Sequence, residues 1–109
     1  MKYQVKLVQT ARGNYPVKDF IHKQNKQTIA KVLHTIELLE EFGPNLRMPY
    51  SKKIASNLYE LRVSGKEAVR VLYSNIKGIF YLLHAFKKKA RKTPKKEIEI
   101  ALDRLRDLV

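Results

Sequence analysis

The 109-residue chain contains no cysteine, which excludes disulfide bonds and thiolate-bound metals. Its most hydrophobic run, residues 79–86, is far too short to span a bilayer. The amino-terminal residues also lack the apolar segment of a secretory signal peptide. The sequence therefore predicts a soluble, cytoplasmic protein that does not enter a membrane and whose fold depends on packing alone.

Acidic residues are scarce, because 10 Asp and Glu stand against 23 Lys and Arg and leave a net charge of +13. Self-repulsion of this size opposes folding, so a polyanionic partner is the simplest reason to keep it. Nucleic acid is the leading candidate, and an acidic protein or an anionic membrane surface is the alternative.

The densest charge lies in residues 87–96, of which seven are Lys or Arg and none is acidic. A solvated surface that only aids solubility would explain an isolated lysine cluster. This run directly follows the apolar residues 79–86, so a buried strand would hold the charge at a fixed place. Fixed positive charge favours a phosphate-rich partner.

The length allows one domain, residues 1–109, built around a single core. No two of the three histidines have the spacing of metal ligands, so the sequence predicts neither a metal site nor a cofactor. Any functional site must then lie on the outside of that core.

The first half of the chain predicts one strand and two helices. Residues 2–8 alternate apolar and polar side chains, as a half-buried strand does. Pro16 can occupy the start of a short helix. A longer helix with an apolar stripe then ends near Phe42, where Gly43 and Pro44 stop it. Its stripe consists of Ile29, Val32, Leu33, Ile36 and Leu39.

The second half predicts three strands and a helix, after a loop over residues 44–56 that carries two exposed lysines. A turn at Ser64 and Gly65 joins the first two strands as a hairpin. The third strand, residues 79–87, is apolar on both sides and should be covered on both faces. Thr93 and Pro94 predict the N-cap and first residue of the last helix. Its apolar stripe consists of Ile98, Ala101, Leu102, Leu105 and Leu108.

Strand periodicity predicts which side chains share a face. If the odd-numbered residues of the hairpin pack on the core, an odd-length turn such as residues 64–66 is required, and Arg62 and Arg70 lie together on the opposite face. A five-residue connection over residues 74–78 would bring four residues of the third strand and its end to that face. They are Leu82, His84, Phe86 and Lys88.

Each of these residues has a simpler explanation. Arg62 and Arg70 could form surface salt bridges with Glu60 and Glu67, and His84 could be a hydrogen-bonded core histidine. Their convergence on one exposed concave surface nevertheless suits metal-free RNA cleavage. That reaction needs a base for the ribose 2′-hydroxyl, cations for the phosphorane charge and an acid for the departing 5′-oxygen. Phe86 could stack on a splayed base.

The chain resembles the RelE-superfamily toxins, and most closely their HigB-like, phage-derived branch. The resemblance lies in residues 58–62, 70–73 and 83–88, and in Thr93-Pro94 with Ala101. Further matching positions upstream are Pro16-Val17 with Phe20, Gly43-Pro44, Met48-Pro49 and Lys52-Lys53.

The resemblance implies a RelE-like α+β fold, in which two N-terminal helices and one C-terminal helix flank a small, mostly antiparallel sheet. It also implies the toxin of a type II toxin–antitoxin pair, an endoribonuclease that cuts mRNA in the ribosomal A site. Its partners would be mRNA, the ribosome and a cognate helix-turn-helix antitoxin. Related ParE-type proteins share the fold and poison DNA gyrase, which is one alternative. A non-catalytic RNA- or ribosome-binding protein is the other.

By its match to the family motif, Arg70 resembles the phosphate-stabilising arginine, and Lys87 or Lys88 resembles the basic group near the leaving oxygen. The predicted catalytic set is Arg62, Arg70, His84, Phe86, Lys87 and Lys88. The predicted RNA-binding set is Lys52, Lys53, Lys89, Arg91, Lys92, Lys95 and Lys96. The chain lacks the late tyrosine and the strand lysines of some superfamily members, so the general base stays open between His84 and a lysine of Lys52-Lys53.

Overall fold

A mixed sheet of five strands forms the centre of the fold, and helices pack on both of its faces. The structure is a computed structural model that describes residues 2–108. The strands are β1 (Gln4–Leu7), β2 (Ser51–Ala55), β3 (Leu58–Val63), β4 (Val69–Ile76) and β5 (Ile79–Lys87). The helices are α1 (Pro16–His22), α2 (Lys26–Phe42) and α3 (Lys95–Leu108), with a 3-10 turn at Gly43–Asn45. The predicted α+β class is confirmed.

The spatial order of the strands is β1-β5-β4-β3-β2. β1 runs parallel to β5, and the other neighbours are antiparallel. Both predicted early helices lie in sequence between β1 and β2. None of the helices between residues 2 and 108 combines the length and apolarity that crossing a bilayer requires.

The local signals for the early elements are confirmed. Pro16 is the first residue of α1, and α2 ends at Phe42, where Gly43 adopts a φ of 51°. Asn25 caps α2, because its side chain accepts a hydrogen bond from the backbone N–H of Thr28. A Cβ at Gly43 would also meet the ring of Tyr3, so this position requires glycine on two counts.

The predicted loop over residues 44–56 is wrong in its second half, because Ser51–Ala55 forms β2 at the edge of the sheet. Polar composition hid this strand, and an edge strand tolerates charged side chains such as lysine. Its inward anchor is Ser51, which is buried and whose hydroxyl lies 2.5 Å from the hydroxyl of Tyr73.

The predicted five-residue connection between β4 and β5 is also wrong. Ile76 pairs with Ile79, so only Lys77 and Gly78 form the turn, and both have positive φ. A two-residue turn would place even-numbered β5 residues opposite odd-numbered β4 residues. A bulge at Leu83 shifts the register by one residue and pairs Leu72 with His84.

The bulge decides which β5 side chains face the arginines. Beyond it, Arg70 pairs with Phe86, so His84 and Phe86 reach the predicted face. Leu82 precedes the bulge and pairs with Tyr73, which places it in the opposite core and overturns its predicted position.

Two cores lie on the two faces of the sheet. α1 and α2 cover the first face, where Val17, Val32 and Leu39 pack against odd-numbered residues of β3 and β4. α3 packs against the second face through Ala101, over Leu72 and Leu83. The third predicted strand, β5, is therefore covered on both faces, as expected.

The helices α2 and α3 differ in detail from their predicted patterns. Leu33 of α2 is 49% exposed and Thr35 is buried in its place, while Leu108 of α3 is also exposed. α3 begins at Lys95, and the carbonyl of Pro94 accepts its first backbone hydrogen bonds. The hydroxyl of Thr93 bonds to Glu60 and does not cap the helix.

Candidate active site

The second face of the sheet is not the open concave surface that the sequence predicted. α3 covers it over β4 and β5, so Phe86 and Leu72 are buried. The part of this face that α3 does not cover lies near the turn between β3 and β4, where Arg62 and Arg70 are paired. The candidate site is this corner of the face together with the basic loop, residues 88–94, which joins β5 to α3.

Arg62 and Arg70 are direct cross-strand partners, as the predicted parity requires. The turn between their strands spans residues 64–68, which is odd in length but longer than expected. Two like charges directly opposite each other are unfavourable. Glu60 compensates for them, because its Oε1 lies 3.6 Å from Arg70 Nε and 3.8 Å from Arg62 Nε.

Arg70 is held in a fixed orientation. Only 7% of the residue is exposed, and its Nη1 donates a hydrogen bond to the Val69 carbonyl at 3.1 Å. Burial lowers the pKa of Arg70, as does the nearby Arg62 cation, while Glu60 raises it. The usual pKa of a guanidinium is so high that Arg70 still carries its charge at neutral pH. The Arg70 side chain lies in the walls of two cavities.

Glu60 also ties the basic loop to the sheet. The Thr93 hydroxyl donates a hydrogen bond to Glu60 Oε2, so both carboxylate oxygens have partners. A small cavity between the loop and the sheet is lined by Glu60, Arg70 and Phe86 together with residues 88–94. The charge of the loop is therefore anchored beside Arg70, because Thr93 binds the same carboxylate as the arginine.

A larger cleft, with a volume of about 370 Å³, opens to solvent beside the arginine pair. Arg62, Arg70 and Lys88 line it, together with Tyr50, Pro49 and the hairpin turn. Lys88 continues the register of β5, since its N–H donates to the Ala68 carbonyl at 2.9 Å. The cleft therefore presents three cations around one space that is open to solvent.

Lys87 lies elsewhere. It pairs with Val69 of the first core face, and its Nζ is 3.3 Å from Glu67 Oε2. Of the two lysines that the family resemblance offered, Lys88 lies beside Arg70 and Lys87 does not. Strand alternation separates them, because consecutive side chains of a strand point to opposite faces.

His84 lies under α3, with both ring nitrogens engaged. Its Nε2 is 2.8 Å from Glu97 Oε1, and its Nδ1 accepts from Arg104 Nη1 at 3.2 Å. The same Nη1 donates to the Leu83 carbonyl at 2.9 Å. Burial lowers the pKa of His84 and Arg104 lowers it further, whereas Glu97 raises it. A neutral ring bonded in this way holds α3 against the sheet, and its ring stacks on Phe86 at 5.6 Å.

The predicted RNA-binding residues divide into groups. Lys89, Arg91 and Lys92 are exposed on the basic loop and line its small cavity. Lys95 and Lys96 follow in the exposed first turn of α3, where Lys96 borders a separate cleft over Phe20 and Ala85.

The two lysines of β2 diverge. Lys52 pairs with Glu60 and lies on the arginine face, whereas Lys53 pairs with Tyr59 on the other. The structure therefore brings Lys52 to the side of the arginine pair and takes Lys53 away from it. Among the described residues, no group of three or more His, Asp and Glu side chains is placed to hold a metal ion.

Sequence reasoning missed the roles of four residues at or beside the site. Glu60 was considered only as a surface partner, although it lies in a predicted strand between two large side chains, Tyr59 and Leu61, and the structure buries it. Arg104 and Glu97 were not considered, and helical spacing alone could have placed them on the sheet-facing side of α3. Tyr50 had no sequence signal, because its position depends on how the chain enters the edge strand.

The sequence model of the family described as phage-derived protein Gp49-like matches residues 19–106. The match begins within α1 and ends within α3, so it includes the arginine pair, the basic loop and α2. This family is associated with RelE-like and other toxin-like proteins. No curated protein matches the chain.

Proposed function

Because the chain belongs to the Gp49-like family of phage-derived proteins, we propose that it is the toxin of a type II toxin–antitoxin system and that it cuts mRNA on translating ribosomes. The association of the family with toxin-like proteins supports the first part of this proposal. The second part rests on one observation, the cross-strand pair of Arg62 and Arg70 beside Lys88 in an open cleft. The finer RelE-like and HigB-like assignment belongs to the same proposal.

The proposed reaction is attack of a ribose 2′-oxygen on the adjacent phosphorus. The P–O5′ bond breaks, and the product is a 2′,3′-cyclic phosphate, which can open to a 3′-phosphate. A base takes the 2′-hydroxyl proton and an acid supplies a proton to the leaving 5′-oxygen. Negative charge accumulates on the phosphorane oxygens between these steps, and preorganised cations stabilise it most effectively.

Arg70 suits the phosphorane, because Glu60 and the Val69 carbonyl fix its orientation before substrate arrives. Arg62 is more exposed and can follow a second phosphate oxygen. Lys88 borders the same cleft and can protonate the leaving oxygen. Lys52 is an exposed candidate for the base, whereas His84 would first have to release Arg104.

The test is cleavage of mRNA by the purified protein on ribosomes with an occupied A site. We expect a cut that leaves a cyclic phosphate or 3′-phosphate end. Arg70→Ala should slow cleavage by roughly 100-fold or more while ribosome binding mostly survives. Arg106→Ala is the control, since Arg106 is exposed and forms an ion pair with Asp103 on its own helix. Intact mRNA under these conditions would refute the nuclease. If cells that express the protein show DNA damage signalling while their mRNA stays intact, gyrase is favoured as the target.

A non-catalytic RNA-binding protein would behave differently. Neutralising any one lysine of the basic loop would then weaken binding slightly and to a similar extent, because each contributes one phosphate contact. A loss concentrated at Arg70 supports the enzyme, and equal modest losses at every position support the binding protein.

A toxin of this kind requires a partner that silences it, and we propose a cognate helix-turn-helix antitoxin with an acidic segment that covers Arg62 and Arg70. The charge of +13 favours fast electrostatic association with such a segment. Co-expression with the neighbouring reading frame should restore growth and give a co-purifying complex whose association rate falls as salt rises. A neighbour that neither binds nor protects would argue against this partner.

A further inference from the structure

A second cleft adjoins the one that holds the arginine pair. It lies between Tyr50 and α2, has a volume of about 350 Å³ and is bordered on α2 by Lys31 and His34. Both clefts include Tyr50, Arg62 and Ser64 in their walls, so they adjoin at these three residues. We call the two clefts together the Tyr50 groove. It runs from Arg70 and Lys88 around the edge of the sheet to the exposed side of α2.

Tyr50 stands where the two clefts meet, and 44% of it is exposed. Its main chain is held firmly, because its N–H donates to the Arg47 carbonyl at 2.9 Å and its carbonyl accepts from the Arg62 N–H at 2.7 Å. An exposed tyrosine alone has no special meaning, since much of any protein surface is apolar. An exposed ring on a fixed main chain inside a cationic groove is a preformed surface for stacking.

The charged side chains that line the groove are all basic, and the Glu60 carboxylate lies behind Arg62 and Arg70. Arg70 and Lys88 lie at one end and Lys31 at the other, and none of the side chains that line the two clefts is acidic. The Lys31 amine lies against the hairpin turn, where a Cβ added to Gly65 would come within 2.7 Å of its Nζ. A cation thus lies on each side of the aromatic ring.

We propose that the Tyr50 groove binds single-stranded RNA next to the scissile phosphate, with a base stacked on Tyr50 and a backbone phosphate at Lys31. Cationic grooves with an interposed aromatic ring are the usual means of binding single strands, since every base offers a stacking face. An acidic peptide could satisfy the cations but gains little from the ring. The bend around the edge of the sheet suits a flexible single strand better than a stiff duplex. This inference takes the position of the scissile phosphate from the proposed function.

The test measures binding without cleavage. Fluorescence anisotropy with a 2′-O-methyl single-stranded oligonucleotide reports affinity, because that RNA lacks the nucleophile. Tyr50→Ala should weaken binding roughly 5- to 100-fold, the range of one lost base–aromatic stack, and Tyr50→Phe should bind as the wild type does. Lys31→Ala should lower the slope of log affinity against log salt by about 0.7, the value of one single-strand phosphate contact.

Matched controls lie outside the groove. Tyr15 is 39% exposed at the start of α1, and Lys23 is exposed at its end, so Tyr15→Ala and Lys23→Ala should leave affinity within roughly twofold. A duplex of the same length should be insensitive to Tyr50→Ala, because its bases are already stacked.

The outcomes separate this inference from the proposed function. Selective loss at Tyr50 and Lys31 supports the groove even if the wild type cuts no mRNA, since the probe cannot be cut. The groove would be overturned, and the nuclease left intact, if the wild type cleaves mRNA on ribosomes while the Tyr50 and Lys31 variants match their controls in RNA affinity and in cleavage rate. The same assay can be run with an acidic peptide. If the peptide binds as tightly as the RNA, and if Lys31→Ala weakens its binding while Tyr50→Ala does not, the groove belongs to a protein partner and the proposal is overturned.

Discussion

Arg62 and Arg70 lie directly opposite each other on β3 and β4, and the Glu60 carboxylate lies within 4 Å of both. The repulsion between the two cations disfavours this arrangement, and a buried carboxylate between them offsets it. The same carboxylate accepts from Thr93 of the basic loop. One acidic residue in a strongly basic chain thus orients the proposed phosphate site.

Glu60→Gln should destabilise the protein, since it keeps the size of the side chain and removes the charge. We expect a loss of roughly 1–3 kcal/mol in the free energy of unfolding, because Arg70 stays buried without its partner. Urea denaturation measures it. Glu67→Gln is the control, because Glu67 pairs with Lys87 on the exposed surface, where ion pairs contribute little. Equal effects of the two substitutions would contradict the proposed role of Glu60.

Arg70→Lys should lose activity although it keeps the charge. Lysine cannot reproduce contacts to both Glu60 and the Val69 carbonyl, which the guanidinium makes through two separate nitrogens. We expect mRNA cleavage on ribosomes to slow by roughly 10- to 100-fold. Arg106→Lys on the exposed side of α3 should cleave at the wild-type rate. Full activity of Arg70→Lys would show that charge alone suffices.

The two leucines of α2 should respond in opposite ways to truncation. Leu39 is fully buried in the first core, whereas Leu33 is 49% exposed. Leu39→Ala should cost about 2–5 kcal/mol of stability through lost burial and a cavity. Leu33→Ala should change stability by less than about 0.5 kcal/mol. Thermal or urea unfolding of the two variants provides the comparison, and a large loss at Leu33 would be inconsistent with the orientation of α2.

Stability should depend on pH through His84. Burial lowers the pKa of its folded-state ring, so the unfolded chain binds a proton at a pH where the folded protein does not. The resulting stabilisation is complete above the ordinary histidine pKa of about 6.5 and is lost as pH falls through the folded value. His84→Gln cannot titrate, so its difference in stability from the wild type should narrow as pH falls from about 7.5 to about 5.

The groups that face His84 are Glu97 and Arg104, both from α3. His22→Gln is the control, since His22 is exposed at the end of α1. A difference between wild type and His84→Gln that is constant with pH would rule out titration of this ring.

Much of the framework was predictable because its signals are local. Pro16 and Gly43 mark helix limits through their own backbone preferences, and alternation identifies β1, β3 and β4 from side chains two residues apart. Alternation also brought Arg62 and Arg70 to one face. The family resemblance stated from those motifs was supported at the level of a family associated with toxin-like proteins.

The amino-acid sequence by itself determined the charge of the molecule, the order of most of its helices and strands, and the arginine pair on one side of a hairpin. Only the tertiary structure decided that β2 joins the edge, that Lys88 and not Lys87 lies beside Arg70, and that α3 covers the face next to them. The bulge at Leu83 was likewise decided only by the tertiary structure. This one extra residue changes which face of the sheet the β5 side chains before it occupy, relative to those after it. Alternation along a strand shows which side chains share a face, but it does not show which face is buried. Strand register and burial are settled by packing between separate elements of the fold.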